Sequence, residues 1–277
     1  MTDRSPASGS RGTSDARPPA GALGRAVVAG TEGAAGGEER HCRFTADGVE
    51  LLDRPGLEPG AAVTGEAALA DCRLLAPVLP GKIVAVGLNY RAHAEEFALD
   101  VHPEPILFMK PRTAVIGPGE SIVCPARSTR VDYEAELALV VSRRCKDVSP
   151  AQASDYVAGY TCGNDVTARD LQQVDGQWTR AKSFDTFCPL GPWIVAGAPS
   201  PTARVSALLD GAEVQHGLVG DMIVPPLELL SFVSGVMTLE PGDVIMTGTP
   251  PGVGSVRPGQ VVTVVVEGVG ALSNPVV

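Results

Sequence analysis

Two glutamates set two residues apart, Glu134 and Glu136, are where the types and spacing of residues most directly suggest chemistry. In the run Asp132-Tyr133-Glu134-Ala135-Glu136-Leu137-Ala138-Leu139-Val140-Val141, alternate residues of a strand share a face. Both carboxylates then point one way, while Ala135, Leu137, Leu139 and Val141 point the other. Neither has a basic neighbour within the strand, so the two charges repel unless protonated, solvated or bridged by a cation. A solvated strand face is one solution and a hard divalent ion is another. A third oxygen comes from Asp165, which ends the segment Tyr160-Thr161-Cys162-Gly163-Asn164-Asp165, itself read as a strand. Three carboxylates without His or Cys nearby favour Mg²⁺, with Mn²⁺ also possible, over zinc.

Further motifs follow in order: N-D-x-T-A-R-D from Asn164, W-T-x-A-K-S-F-D-T-F-C-P-L-G-P from Trp178, and T-G-T-P-x-G-V-G from Thr247. Together with E-x-E, this ordered set resembles the catalytic domain of the fumarylacetoacetate hydrolase superfamily, from about Lys82 to Val277. The resemblance implies a strand-dominated α+β domain, a mixed β-sheet roll, with a metal ion on Glu134, Glu136 and Asp165. It also implies a homodimer acting on a small 2-keto or 2-enol acid.

Carried across position by position, the resemblance supplies a substrate cradle. Arg169, one helical turn beyond Asp165, would meet a substrate carboxylate with Gln172 beside it; a surface helix arginine is the plain alternative. Lys182, set among Ala181, Ser183 and Phe184, would point inward and stabilise an enolate oxygen. The turn carrying Thr247 and Thr249 lacks the Gly-Lys-Ser/Thr of a phosphate loop, and by resemblance would bind the far end of the substrate. Gly and Pro there also suit a tight turn. His93 and Glu96 lie three apart, so in a helix the carboxylate fixes the imidazole and raises its basicity. The resemblance makes them a water-activating pair on a segment that closes over the site; a surface contact is the other reading. Chelation of a 2-oxo acid by the metal and formation of an enolate then lead to hydrolysis of an acylpyruvate or decarboxylation of an oxaloacetate-like acid. Isomerisation of a 2-hydroxy-dienoate or dehydration of a sugar acid would use the same intermediate. A metal-bound scaffold without turnover is the non-enzyme alternative.

The elements that must position these groups are mostly strands. KIVAVGLNY, ELALVVS, WIVAG, DVIMTG and VVTVVVEG are dense in β-branched residues and bounded by Gly or Pro. Ser149-Pro150 predicts a helix closing near Gly159, and Pro225-Pro226 predicts one over PLELLSFVSGVM. A third is expected from Thr167, with Asp170 in capping-box position. Residues 41–80 read as a small strand-rich lead-in and residues 81–277 as the catalytic domain. Gly, Ala, Ser and Pro make up 23 of the first 40 residues, a composition that predicts a disordered tail. In all, 277 residues with 44% hydrophobic content allow a sizeable core. The 32 acidic and 22 basic residues, with no cluster of Lys and Arg among aromatics, argue against nucleic acid. No apolar run approaches the ~20 residues of a membrane span, and the amino terminus has no signal pattern, so no membrane association and a cytoplasmic location are expected. Six scattered cysteines without a C-x-x-C pair are expected to be reduced thiols.

Overall fold

The computed structural model describes residues 17–29, 37–96 and 102–277. Its spine is the strand Ala135–Val141, all seven residues of which are buried. This strand sits inside a 12-stranded sheet, antiparallel to Val157–Asn164 on one side and Val244–Met246 on the other. A strand covered on both faces needs the near-continuous apolar sequence that these residues supply. The two-residue period holds: Leu137, Leu139 and Val141 enter one hydrophobic cluster, whereas Ala138 and Val140 join Ile83 and Val244 in another. Val244–Met246 runs parallel to Ile83–Gly87, which pairs antiparallel with Ile106–Lys110. Val157–Asn164 pairs in turn with Cys188–Val195.

A second sheet of four strands, in the order Ala212–Leu218, Arg204–Leu209, Val261–Val266, Gly270–Pro275, packs its Val205, Ala207, Val262 and Val264 into the cluster that holds Leu137 and Leu139. A third, short sheet joins Thr167–Ala168, Val131–Tyr133 and Gly254–Val256. The sheets enclose a common core in a strand-dominated α+β roll, as expected.

Two sequence expectations are corrected. The disordered tail over residues 1–40 does not hold where the structure describes it: Leu23–Val28 is a strand of the large sheet, paired with Glu38–Phe44, Cys72–Leu74 and Cys188–Val195. Averaging composition over 40 residues hid the short apolar run AVV in LGRAVV, whose Ala26 is fully buried in a cluster with Cys42, Phe44 and Trp193. Residues 1–16 and 30–36 of that expectation lie outside the described residues. The strand-rich segment after residue 40 therefore extends the catalytic sheet through Leu23 and Ile194.

Second, Thr167 does not cap a helix. It belongs to the strand Thr167–Ala168, its hydroxyl donates to the Asp165 carbonyl at 2.8 Å, and the helix is Arg169–Asp175. Asp170 instead binds the Ser128 hydroxyl and the Thr129 backbone. The Pro226–Val236 helix forms as expected, while Ser149-Pro150 opens a 3₁₀ helix, Pro150–Tyr156. Among the described residues no helix is long and apolar enough to cross a membrane, and all six cysteines are free.

Candidate active site

The chain switches sheets at Glu134, the single residue between strands Val131–Tyr133 and Ala135–Val141. Its backbone is held at that break by Asn164, whose Oδ1 accepts the Glu134 N–H at 3.0 Å, and by the Asp165 N–H, which donates to the Glu134 carbonyl at 2.9 Å. Pairing of Glu136 with Gly163 fixes the register. In this way Asp165, just past its strand, is brought beside both glutamates. One carboxylate oxygen from each of Glu134, Glu136 and Asp165 lies within 4.8 Å of the others. The glutamates are not on a solvated face: Glu134 is 4% exposed and Glu136 1%.

Buried carboxylates need compensation, and it is distributed unevenly. Lys182 Nζ donates to Glu134 Oε2 at 2.9 Å and to Asp165 Oδ2 at 2.6 Å. Arg169 donates through Nη2 to Glu134 Oε1 at 2.5 Å, through Nε to Asp132 at 2.9 Å, and through Nη1 to Gln172 at 2.6 Å. Lys110, itself fully buried, bonds Asp165 Oδ1 and the Val166 carbonyl. Glu136 has no salt bridge and takes one backbone donor, Gly248 N–H at 2.8 Å. Burial raises the Glu136 carboxyl well above its ordinary range, helped by the charges of Asp165 and Glu134. For Glu134, burial pushes the same way, but Lys182 and Arg169 outweigh it and hold the carboxylate below its usual value. Burial works against the ammonium of Lys182, and Asp165 and Glu134 more than offset this, so its proton is held firmly.

Four buried acids meet here, Asp132, Glu134, Glu136 and Asp165; the buried cations Lys110, Arg169 and Lys182 bond three of them, and the exposed Arg130 also bonds Asp132. The acid left without a cation is Glu136, one of the three convergent carboxylates. An all-oxygen triad with one carboxylate that no cation contacts among the described residues fits a hard divalent ion.

The triad opens into a cavity of about 380 Å³ that His93, Arg169, Gln172, Lys182 and Thr249 also line. His93 lies on the short helix Arg91–Glu96, its Nδ1 3.1 Å from Glu96 Oε2. The carboxylate accepts from Nδ1–H, which sets the tautomer with the acceptor lone pair on Nε2. Glu96 is held from its other side by the Gly252 N–H, at 3.1 and 3.3 Å from the two oxygens.

The Thr247 to Gly254 turn is placed differently from the expectation that it cradles the substrate's far end. The Thr247 hydroxyl donates to the Leu137 carbonyl at 2.8 Å, and Thr247 is absent from the cavity lining. Thr249 does line it, with its hydroxyl donating to the Ala135 carbonyl and accepting from Gln215. Two backbone donors of the turn hold Glu136 and Glu96, so the turn positions acids. Sequence reasoning missed Asp132 and Lys110. Asp132 had a signal, since it continues the alternation of Glu134 and Glu136; Lys110 had only a basic residue closing the apolar run ILFM.

Residues 82–277 match the family described as fumarylacetoacetate (FAA) hydrolase C-terminal. A protein of Archaeoglobus fulgidus is 53% identical over 212 residues, which is 76% of this chain and 85% of that one. The crystal structure of 2-hydroxyhepta-2,4-diene-1,7-dioate isomerase from Mycobacterium marinum is similar, with TM-score 0.81 and 42% identity over 92% of this chain and 98% of that chain. Fumarylpyruvate hydrolase from Pseudomonas aeruginosa, in complex with Mn²⁺ and pyruvate, aligns with TM-score 0.69 and 34% identity over 73% and 91% of the two chains. With its ordered motifs, its roll of strands and its carboxylate triad, this chain belongs to the fumarylacetoacetate hydrolase family.

Proposed function

We propose that this protein is a Mg²⁺- or Mn²⁺-dependent enzyme that cleaves a C–C bond in a small 2-keto acid, by hydrolysing an acylpyruvate. The observation that carries this reading is the opening of the carboxylate triad into the same cavity as Lys182 and the His93/Glu96 pair. The Mn²⁺ and pyruvate bound by the Pseudomonas relative support both the ion class and the product class. Glu134, Glu136 and Asp165 would hold a divalent ion, which would supply Lewis-acid polarisation of a 2-oxo group.

The rest is done by side chains of this chain. Lys182 keeps its proton and presents fixed positive charge where negative charge develops on the substrate. Arg169 and Gln172, bonded to each other, form one edge of the cavity and orient the substrate's carboxylate. His93 accepts a proton from water, and Glu96 stabilises the resulting imidazolium. The water oxygen bonds to the distal carbonyl carbon, and the bond from that carbon to the methylene breaks. Its electron pair stays on the methylene carbon, which takes up the proton. The products are pyruvate and a carboxylic acid.

Structural similarity to the isomerase from Mycobacterium marinum supports a second reading, in which His93 moves a proton between carbons of a 2-hydroxy-dienoate. Turnover of acylpyruvates, oxaloacetate and hydroxymuconate-type acids, after chelation and readdition of Mg²⁺ or Mn²⁺, tests the proposal. Hydrolysis that needs the ion and is lost in His93→Ala supports it; metal-independent turnover, or none with any acylpyruvate, overturns it.

A further inference from the structure

The cavity has a side that the chemistry above does not use. Phe108 and Trp178 stand on it edge to face, with ring centroids 5.3 Å apart and planes at 75°. The contacts give a sequence outward from the triad. Lys182 binds Glu134 and Asp165, its Nζ lies 5.2 Å from the centroid of Phe108, and Trp178 packs on Phe108 in turn. The short helix Thr179–Lys182 starts at Trp178 and ends at Lys182, so one turn of chain fixes both the indole and the ammonium. An ion pair between Asp175 and Arg180, 2.8 Å at Nε, ties the loop across it.

Gly87 lets the indole lean in, because a Cβ there would fall 2.5 Å from the Trp178 ring. The neutral amides of Gln172 and Gln173 line the same cavity. Of the lining cations, Lys182 is bonded to Glu134 and Asp165, and Arg169, bonded to Asp132 and Glu134, serves the carboxylate of the pyruvate half in the reading above.

Taking the hydrolase reading as its basis, we propose that Phe108 and Trp178 determine specificity, selecting acylpyruvates whose acyl group is planar, unsaturated or aromatic, and uncharged. Such a group stacks on the wall while the pyruvate half faces the triad. A carboxylate at the far end would instead lose water against aromatic carbon, with no further cation among the described lining residues to receive it. The favoured reaction is aroylpyruvate plus water giving an arenecarboxylic acid plus pyruvate, with the bond changes described above. The preferred substrate would thus differ from the dicarboxylates after which two of the structural neighbours are named.

The test compares kcat/KM for acetylpyruvate, benzoylpyruvate and fumarylpyruvate in the wild type, Trp178→Ala and Phe108→Leu, with Mg²⁺ present. A parallel titration measures the affinities of phenylpyruvate and pyruvate, neither of which is an acylpyruvate. Trp178 and Phe108 are both partly exposed, so these truncations leave the core in place. The wild type should prefer benzoylpyruvate to fumarylpyruvate by about tenfold or more, the scale of an unpaired polar group in a binding site. Trp178→Ala should lower the benzoylpyruvate-to-acetylpyruvate ratio by about three- to tenfold, the range for one aromatic contact, with Phe108→Leu in the same direction. The phenylpyruvate-to-pyruvate affinity ratio should fall by a similar factor. A preference for fumarylpyruvate, or ratios that are the same in wild type and Trp178→Ala, overturns the assignment. If no acylpyruvate is hydrolysed, the hydrolase reading fails separately. The affinity ratio then decides the wall: loss in Trp178→Ala upholds it, and no change removes it.

Discussion

Glu136→Gln and Asp165→Asn remove one charge each from the same triad, and the structure gives them different consequences for folding. Asp165 is bound by two buried ammonium groups. Its neutralisation leaves Lys110 chiefly with the Val166 carbonyl at 3.2 Å and Lys182 with Glu134 at 2.9 Å. Breaking a buried pair costs about 3–5 kcal/mol when nothing replaces the lost partner. The amide oxygen of Asn still accepts from one ammonium, which brings the expected cost to about 2–3 kcal/mol. At about 2–4 °C per kcal/mol for a chain of this size, Tm in chelator falls by roughly 4–12 °C. Glu136 has no salt bridge to lose, and the Gln oxygen can still accept the Gly248 N–H. Its folded-state carboxyl is raised by burial and by Asp165 and Glu134, so its contribution is present in acid and lost as pH rises. Glu136→Gln should stay within about 1 kcal/mol of wild type and gain on it as pH increases. Both variants should lose the stabilisation by Mg²⁺, which in the wild type amounts to about 2.7 kcal/mol at a hundredfold excess over Kd. Thermal unfolding in EDTA and in Mg²⁺ reads all four numbers. Equal destabilisation of the two variants in EDTA, or an undiminished Mg²⁺ effect in Glu136→Gln, would refute the charge assignment.

Three further outcomes follow from the same geometry. Because the raised Glu136 carboxyl holds a proton that an ion must displace, Mg²⁺ affinity should strengthen as pH rises, by up to about tenfold per unit; calorimetry in buffers of different ionisation heat should show proton release, and its absence with a flat pH dependence would contradict the reading. His93→Ala should lower acylpyruvate hydrolysis by roughly 10² and oxaloacetate decarboxylation less, with Glu96→Gln milder because its amide still accepts from Gly252; equal loss of both reactions would make the pair a lid only. Deleting residues 1–40 should lower Tm, since it strips the Leu23–Val28 strand from Phe44 and Trp193, large side chains whose burial contributes about 1.5–3 kcal/mol each; an unchanged Tm would show that this strand does not contribute to the core.

What was legible in the sequence was whatever repeats locally. Alternation in the run from Asp132 to Val141 gave both the strand and the convergence of Glu134 with Glu136, and β-branched density gave the remaining central strands. Groups that meet only through the sheet order left little local trace. Lys110 lies 55 residues from Asp165 in sequence, and nothing around it states that Ile106–Lys110, paired with Ile83–Gly87 at the end of the sheet order, brings its last residue to Asp165. The Thr247 to Gly254 turn was expected to hold the substrate's far end, whereas its backbone N–H groups at Gly248 and Gly252 hold Glu136 and Glu96, partners that no residue type announces. Phe108 and Trp178 lie in separate segments, and only the fold brings their rings together. The Leu23–Val28 strand was lost for the opposite reason: its pattern is local, but a compositional window much longer than six residues diluted it.

The site residues share a position in the fold as well as a cavity. Glu134 fills a break between two strands, Asp165 follows the end of Val157–Asn164, Lys110 ends its strand, and Gly248 follows Val244–Met246. Within the large sheet both faces of Ala135–Val141 are covered, so a charge in its middle would have neither water nor room for a partner. Where the ladder stops, side chains from separate strands can turn toward one another and pair. Substitutions in the middle of the strand, at Leu137 or Leu139, should therefore act through packing, by about 2–5 kcal/mol for truncation to Ala. At the strand ends the effect depends on whether the residue removed holds a buried cation. Asp165 holds two and Glu136 holds none. The same geometry thus predicts that Asp165 serves both folding and the proposed ion, and Glu136 the ion alone.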